Sequence, residues 1–283
     1  MKKTFLPLVA IALIVLTANS FCSKKGSTVT PVTPPVDTTP VQVIPYKLVW
    51  SDEFDTPGLP DPTKWGYDVG GNGWGNHEME YYTNARPENA RVDSNGHLVI
   101  EARKEPFSGS SYTSARLLTL NKASWTYGMF EIRAKIPRGR GTWPAIWTLS
   151  AHQPLTWPDD GELDIMEEVG YNPNWIKGSA HNKQYFGGNS KNGDYFVADA
   201  QDSFHVYKME WTSKQIDWYV DSVKYYSYAN ASLSPAAWPY YNDFFIILNV
   251  AIGGDWGGIQ GVDDSIFPQQ MLVDYVRVYQ RVK

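Results

Sequence analysis

The sequence predicts an all-β sandwich or jelly roll, and three observations carry that expectation. Short alternating runs of apolar and polar residues recur from Tyr46 onward. No stretch of that span has the 3.6-residue apolar repeat of a convincing helix. Turn signals such as Ser94-Asn95-Gly96 and Pro137-Arg138-Gly139 separate some of the runs. Many short strands without helices bury their apolar faces best by stacking as two sheets.

The chain opens differently. Lys2 and Lys3 precede an apolar run from Phe5 to Leu16. It is too short to span a bilayer as a stable helix, so residues 1–21 read as a signal peptide. Cys22, the only cysteine, stands where a lipoprotein signal would be cut, and Ser23-Lys24-Lys25 follow. Residues 22–45 are therefore expected to be a lipid-modified cysteine and a linker, with plain cleavage as the alternative. Between Gly26 and Pro45 lie five Pro, five Thr and one charge, Asp37. Such a segment cannot bury enough apolar surface to fold by itself. The expected location is outside the inner membrane, on the outer membrane or cell surface.

From Tyr46 to Lys283 one β domain is expected. YGMFEIRAKI sets Gly128, Phe130, Ile132, Ala134 and Ile136 on one face and Glu131, Arg133 and Lys135 on the other. QIDWYV groups Ile216, Trp218 and Val220. Further strands are expected at 46–54, 97–104, 112–119, 204–211, 224–228, 244–251 and 271–280. Trp143 and Trp147, in GTWPAIW, are four apart and would share a strand face. Pro144 interrupts an ordinary ladder, so a loop entering a strand is expected there.

The rest of the chain is organised around GELDIMEEVG, residues 161–170, with four carboxylates among apolar residues. Leu163 and Ile165 alternate with Glu162 and Asp164, giving one apolar and one acidic face. Like charges two apart on a strand face raise one another's pKa, a cost more readily borne where the carboxyls do work. On a regular strand Glu167 would point away from Glu162. One extra residue near Ile165–Glu167, a β-bulge, would return it to the same face. Retaining glycoside hydrolysis needs two carboxyls about 5–5.5 Å apart. The two α-carbons would lie roughly 13 Å apart, so long side chains would have to lean together. Taken alone, the spacing fits a solvated acidic strand edge better.

Composition narrows the partners. The chain carries 12 Trp, 18 Tyr and 11 Phe, and sugar rings present apolar C–H faces that stack on such groups. Net charge is −5, and setting aside Lys2, Lys3, Lys24, Lys25 and Asp37 leaves 21 basic and 29 acidic residues from Tyr46 on. A surface this acidic is poorly suited to nucleic acid or to sulfated or uronic polymers. A neutral glycan fits better. Five His and one Cys show no metal-ligand spacing, so no catalytic zinc is expected.

GELDIME resembles the E-[IL]-D-[IV]-x-E signature of glycoside hydrolase family sixteen, in the bulged form of its laminarinase branch. WSDEFD, GWGNHEMEYYT, GTWPAIWTL, FHVYKMEWT, FFIILNVAIGGDWGG and MLVDYVRVYQ extend the resemblance in the family's order. The resemblance implies a concanavalin A-like β-jelly roll with a concave substrate cleft. It implies Glu162 as nucleophile, Glu167 as acid/base and Asp164 as the residue that tunes the pair. The implied activity is a retaining endo-β-1,3-glucanase acting on laminarin-like polymers, as a monomer touching the membrane only through its lipid. Alternatives are a relative cutting mixed-linkage glucan or a galactan such as agarose, and a non-catalytic glycan-binding jelly roll.

The same resemblance implies substrate contacts from Asn76 and Glu78, from Arg116 and His181, and from a Trp platform at Trp143 and Trp147. His77 and Glu80 depart from the family's G-W-G-N-N-E-L-Q-Y-Y-T, which puts the recognition made by that loop in question. Trp256, in GGDWGG, is a further stacking candidate. No cofactor is implied for catalysis. A structural Ca2+ is implied on the convex face, held by main-chain oxygens of Glu53 and Gly96 and by Asp274.

Overall fold

A computed structural model describes residues 45–231 and 233–282. The signal-peptide, Cys22 and linker readings lie outside the described residues. Seventeen strands are described: β1 Tyr46–Asp52, β2 Gly66–Asp68, β3 Glu80–Tyr82, β4 Ala90–Val92, β5 Leu98–Phe107, β6 Ser110–Ser114, β7 Arg116–Leu118, β8 Gly128–Lys135 and β9 Thr142–Ser150. They continue as β10 Glu162–Glu167, β11 Trp175–His181, β12 Lys191–Phe196, β13 His205–Trp211, β14 Gln215–Val220, β15 Val223–Ala229, β16 Phe244–Ile252 and β17 Gln269–Arg281. Helix among the described residues is limited to 3-10 turns at Gly187–Asn189 and Asp264–Ile266.

Two sheets result. The larger runs β15-β14-β13-β8-β17-β5-β6-β3, with β1 also on β17 and β4 on β5. The smaller runs β12-β11-β10-β9-β16-β7-β2. Phe130, Ile132, Trp211, Trp218 and Val276 of the first pack against Ile146, Leu163, Ile165, Met166, Ile176 and Phe244 of the second. Burying these side chains supplies the main drive to fold, about 1.5–3 kcal/mol for each large one. In β8 burial alternates residue by residue, as the sequence pattern requires. The span expected as one strand over 112–119 breaks at Ala115, and its halves join different sheets.

Two strands of the smaller sheet differ from the sequence reading. Trp143 and Pro144 belong to β9, in mid-sheet, rather than to a loop. The Pro144 carbonyl accepts from Glu168 N–H at 3.3 Å, on the side where β10 has just ended. The missing proline N–H therefore costs little pairing, which is why a central strand tolerates it. The sequence reading passed over β11, because Gly178, Ser179 and Ala180 blur its alternation. Packing explains the glycine: a Cβ on Gly178 would stand 2.4 Å from the Trp218 ring.

Candidate active site

The smaller sheet's outer face holds the acids, and the bulge puts them there. Opposite β9, Asp164 pairs with Trp147 but Met166 pairs with Ile146, so Ile165 is the extra residue. Opposite β11 the same irregularity falls between Asp164 and Glu167. Leu163, Ile165 and Met166 all enter the core, while Glu162, Asp164 and Glu167 turn outward together. A buried indole fixes the bend from behind: Trp218 Nε1 donates to the Asp164 carbonyl at 2.8 Å.

Each acid has its own surroundings. Glu162 Oε2 accepts from Trp157 Nε1 at 2.8 Å, and Glu167 Oε1 accepts from Trp143 Nε1 at 3.0 Å. Asp164 is 2 % exposed. Burial, reinforced by the charges of Glu162 and Glu167, holds its carboxyl well above the usual range. Burial pushes Glu167 up to about 7; the Glu162 charge adds to the rise, while His181 and the Trp143 hydrogen bond oppose it. Glu167 is therefore poised to give and take a proton near neutral pH.

His181, opposite Glu162 on β11, completes the cluster. Its Nε2 lies 3.0 Å from Asp164 Oδ2, off the line of an ideal hydrogen bond, and 3.8 Å from Glu162 Oε1. Burial lowers the His181 pKa, but the charges of Glu162 and Asp164 outweigh it and raise it to about 10. Gly187 N–H donates to Nδ1 at 3.1 Å and opposes the charged ring, since that bond needs a free Nδ1 lone pair. A neutral His181 thus carries its proton on Nε2, toward the acids. Ligand atoms of Glu162, Asp164 and His181 lie within 4.8 Å of one another, the one such group among the described residues. The protonated Nε2 offers a metal no lone pair, so the trio is better suited to sharing protons.

Aromatic residues flank the acids. Trp143 meets Trp256 edge to face at 5.5 Å. Trp147 sits beside Asp164 and donates to Asn249 Oδ1 at 2.7 Å. Asn249 Nδ2 donates to the Tyr82 hydroxyl at 3.0 Å, which donates to Glu78 Oε2 at 2.9 Å. Asn76 Nδ2 donates to Glu78 Oε1 at 3.1 Å. Asn76, Glu78, Trp147 and the acid cluster are thus joined through one hydrogen-bonded chain and one strand pairing. His77 is exposed and pairs with Asp255. Arg116 is buried, its guanidinium 4.8 Å from the Trp74 ring and 4.7 Å from the Trp147 ring, with Nε 3.0 Å from Asp68 Oδ2. Its guanidinium thus lies over both indole rings.

Sequence reasoning missed Trp157. It lies in the loop before β10, and nothing in its spacing reveals that it folds back onto Glu162. A proline-flanked Trp just upstream of an acidic strand was the available signal. The residues expected to hold Ca2+ lie on or beside the larger sheet. Asp52 pairs with Val276 and Leu98 with Val273, so the register brings Glu53, Gly96 and Asp274 to one corner. The Glu53 carboxylate is taken by Arg277, leaving its main-chain oxygen. Asp274 Oδ2 accepts from Arg133 at 2.6 Å, which leaves Oδ1 for an ion. Hard oxygens of this kind suit Ca2+.

The family profile described as Glycosyl hydrolases family 16 matches residues 77–277. A beta-glucanase from Rhodothermus marinus is 56% identical over 248 residues, 84% of this chain and 86% of its own. The crystal structure of the laminarinase from Rhodothermus marinus superposes with a TM-score of 0.83 at 53% identity, covering 86% of this chain and all of that one. SCLam, a non-specific endo-beta-1,3(4)-glucanase, gives a TM-score of 0.80 at 45% identity, over 84% of this chain and 93% of its own.

Proposed function

The chain belongs to glycosyl hydrolases family 16, and from that premise we infer a retaining endo-β-1,3-glucanase that hydrolyses laminarin-like β-glucans by double displacement. The observation that supports it most is the Ile165 bulge, which turns Glu167 into the groove already holding Glu162 and Asp164. Glu167, protonated, donates to the glycosidic oxygen while the Glu162 carboxylate attacks the anomeric carbon, and the leaving sugar departs. Glu167, now ionised, takes a proton from water, whose oxygen displaces Glu162 and restores both acids. Asp164 and His181 hold a proton beside Glu162 and so tune its charge. Trp143 and Trp147 stack sugar rings, Asn76 and Glu78 bond their hydroxyls, and Arg116 stiffens the platform.

Product analysis on purified laminarin, lichenan and agarose tests this reading. Retained configuration and preferred release of β-1,3-linked oligosaccharides are expected; absence of turnover with measurable binding would leave a glycan-binding jelly roll. Likeness to a non-specific endo-beta-1,3(4)-glucanase favours mixed-linkage glucan as the second substrate to try.

The chain further acts as a monomer that reaches a membrane only through a lipid on Cys22, exported by residues 1–21. Mass spectrometry of the mature amino terminus checks the lipid: an unmodified or absent Cys22 would refute it. Ca2+, held by Glu53, Gly96 and Asp274, would stabilise the corner of the larger sheet. A melting temperature that rises with Ca2+ and falls with EDTA is expected.

A further inference from the structure

Glu80 is fully buried at the start of β3, beneath the loop that carries Asn76 and Glu78. Its Oε2 accepts from Ile252 N–H of β16 at 2.6 Å. Its Oε1 has no donor, and its carboxyl lies within hydrogen-bonding reach of the Glu78 side chain. Glu78 has a donor on each oxygen already, Asn76 Nδ2 and the Tyr82 hydroxyl. Two ionised carboxylates in contact, one of them out of reach of water, would leave an uncompensated charge in the interior. A proton on Glu80 removes that charge and gives the orphaned oxygen a partner.

We propose that Glu80 is a neutral carboxylic acid whose O–H donates to Glu78, making it a positioning residue for the sugar-binding loop. The protonated acid offers one acceptor, used by Ile252, and one donor, used by Glu78. Glu78 is thereby held against Tyr82, and through Asn249 the geometry reaches Trp147. Burial, then the Glu78 charge, keep the Glu80 carboxyl well above its ordinary range. Glu78 and Tyr82 are the titratable groups facing it from its own stretch. Arg116, from β7, acts on the neighbouring Tyr82 and is already paired with Asp68. Tyr112, opposite on β6, sends its hydroxyl to Asp264, and β16 presents only neutral groups, Asn249 and the Ile252 amide.

What Glu78 recognises rests on the glucanase reading; the protonation of Glu80 does not. Glu80→Gln keeps one acceptor and one donor, whereas Glu80→Leu fills the space with neither. On a β-1,3-glucan, Glu80→Gln should keep kcat and KM within about twofold of wild type, and Glu80→Leu should raise KM about tenfold with kcat little changed. Wild-type KM should rise at alkaline pH as Glu80 ionises, and Glu80→Gln should abolish that rise. Infrared difference spectra at neutral pH, wild type minus Glu80→Gln, should show the C=O stretch of a protonated acid, whether or not the protein turns over glucan. Absence of that band overturns the proposal. So does a KM in Glu80→Gln as high as in Glu80→Leu, or a KM that follows the same pH course in Glu80→Gln and wild type.

Discussion

Glu167 and Glu168 are neighbours in sequence, both pushed by burial up to about 7, yet they occupy two different regions. Glu167 closes β10 in the cleft, bonded to Trp143 and sensing the charges of Glu162 and His181. Glu168 is fully buried in the turn that follows, where Oε1 accepts from Asn174 N–H at 2.8 Å and Gln201 Nε2 at 2.7 Å. The first faces other ionisable groups and open space; the second ties the 168–174 turn to Gln201. A perturbed carboxyl is therefore not in itself a sign of chemistry. What faces it decides.

The sharpest way to break this contrast is to remove the carboxyls one at a time. Glu162→Ala and Glu167→Ala should each lower kcat/KM on laminarin on the order of 10³-fold with the far-ultraviolet spectrum unchanged. Glu168→Gln, which keeps an acceptor for Asn174 and Gln201, should stay within about twofold of wild type. Comparable losses at 167 and 168 would erase the distinction.

The pH profile sharpens it further. Glu167 must hold a proton for the first step, so kcat/KM should fall about tenfold per pH unit above about 7. Glu168→Gln should leave that limb in place. Next comes the indole on Glu162: Trp157→Phe loses a hydrogen bond to that carboxylate and should lower kcat/KM about tenfold, read in the same assay.

The smallest effect on rate belongs to Glu168, whose signature is stability. Its carboxyl binds a proton more tightly folded than unfolded, so its contribution is full below the unfolded value and fades as pH rises through about 7. The difference between 4.5 and about 7 corresponds to at most about 3 kcal/mol. Glu168→Gln should flatten the decline in unfolding free energy between pH 5 and pH 8, measured by denaturant titration, by up to roughly that amount.

Much of this was legible in the sequence, for definite reasons. Alternation in 128–136 and 215–220 is a direct record of one buried face, and the matching strands formed there. The bulge could be inferred because Glu162 and Glu167 share a face only if one residue is extra, and the ladder shows Ile165 in that role. Pro144 misled because its lost donor matters only where a neighbour waits for it, and β10 has ended there. Arg116 reads as a polar strand residue, but its burial between two indoles is a property of three separate segments. The Trp157 bond to Glu162 and the Glu80 bond to Ile252 escaped for the same cause: such contacts are set by chain reversals that spacing does not encode.

Trp218 belongs to the larger sheet, yet its N–H grips the carbonyl of Asp164 across the sandwich. Sliding or parting of the two layers would release the kink and turn the acid groups off target before any strand dissolved. Thermal inactivation should consequently keep pace with, or slightly precede, loss of the tryptophan near-ultraviolet signal. The indole that joins the two layers also sets the direction of the acids, so a substitution that loosens it would disturb packing and catalytic alignment together.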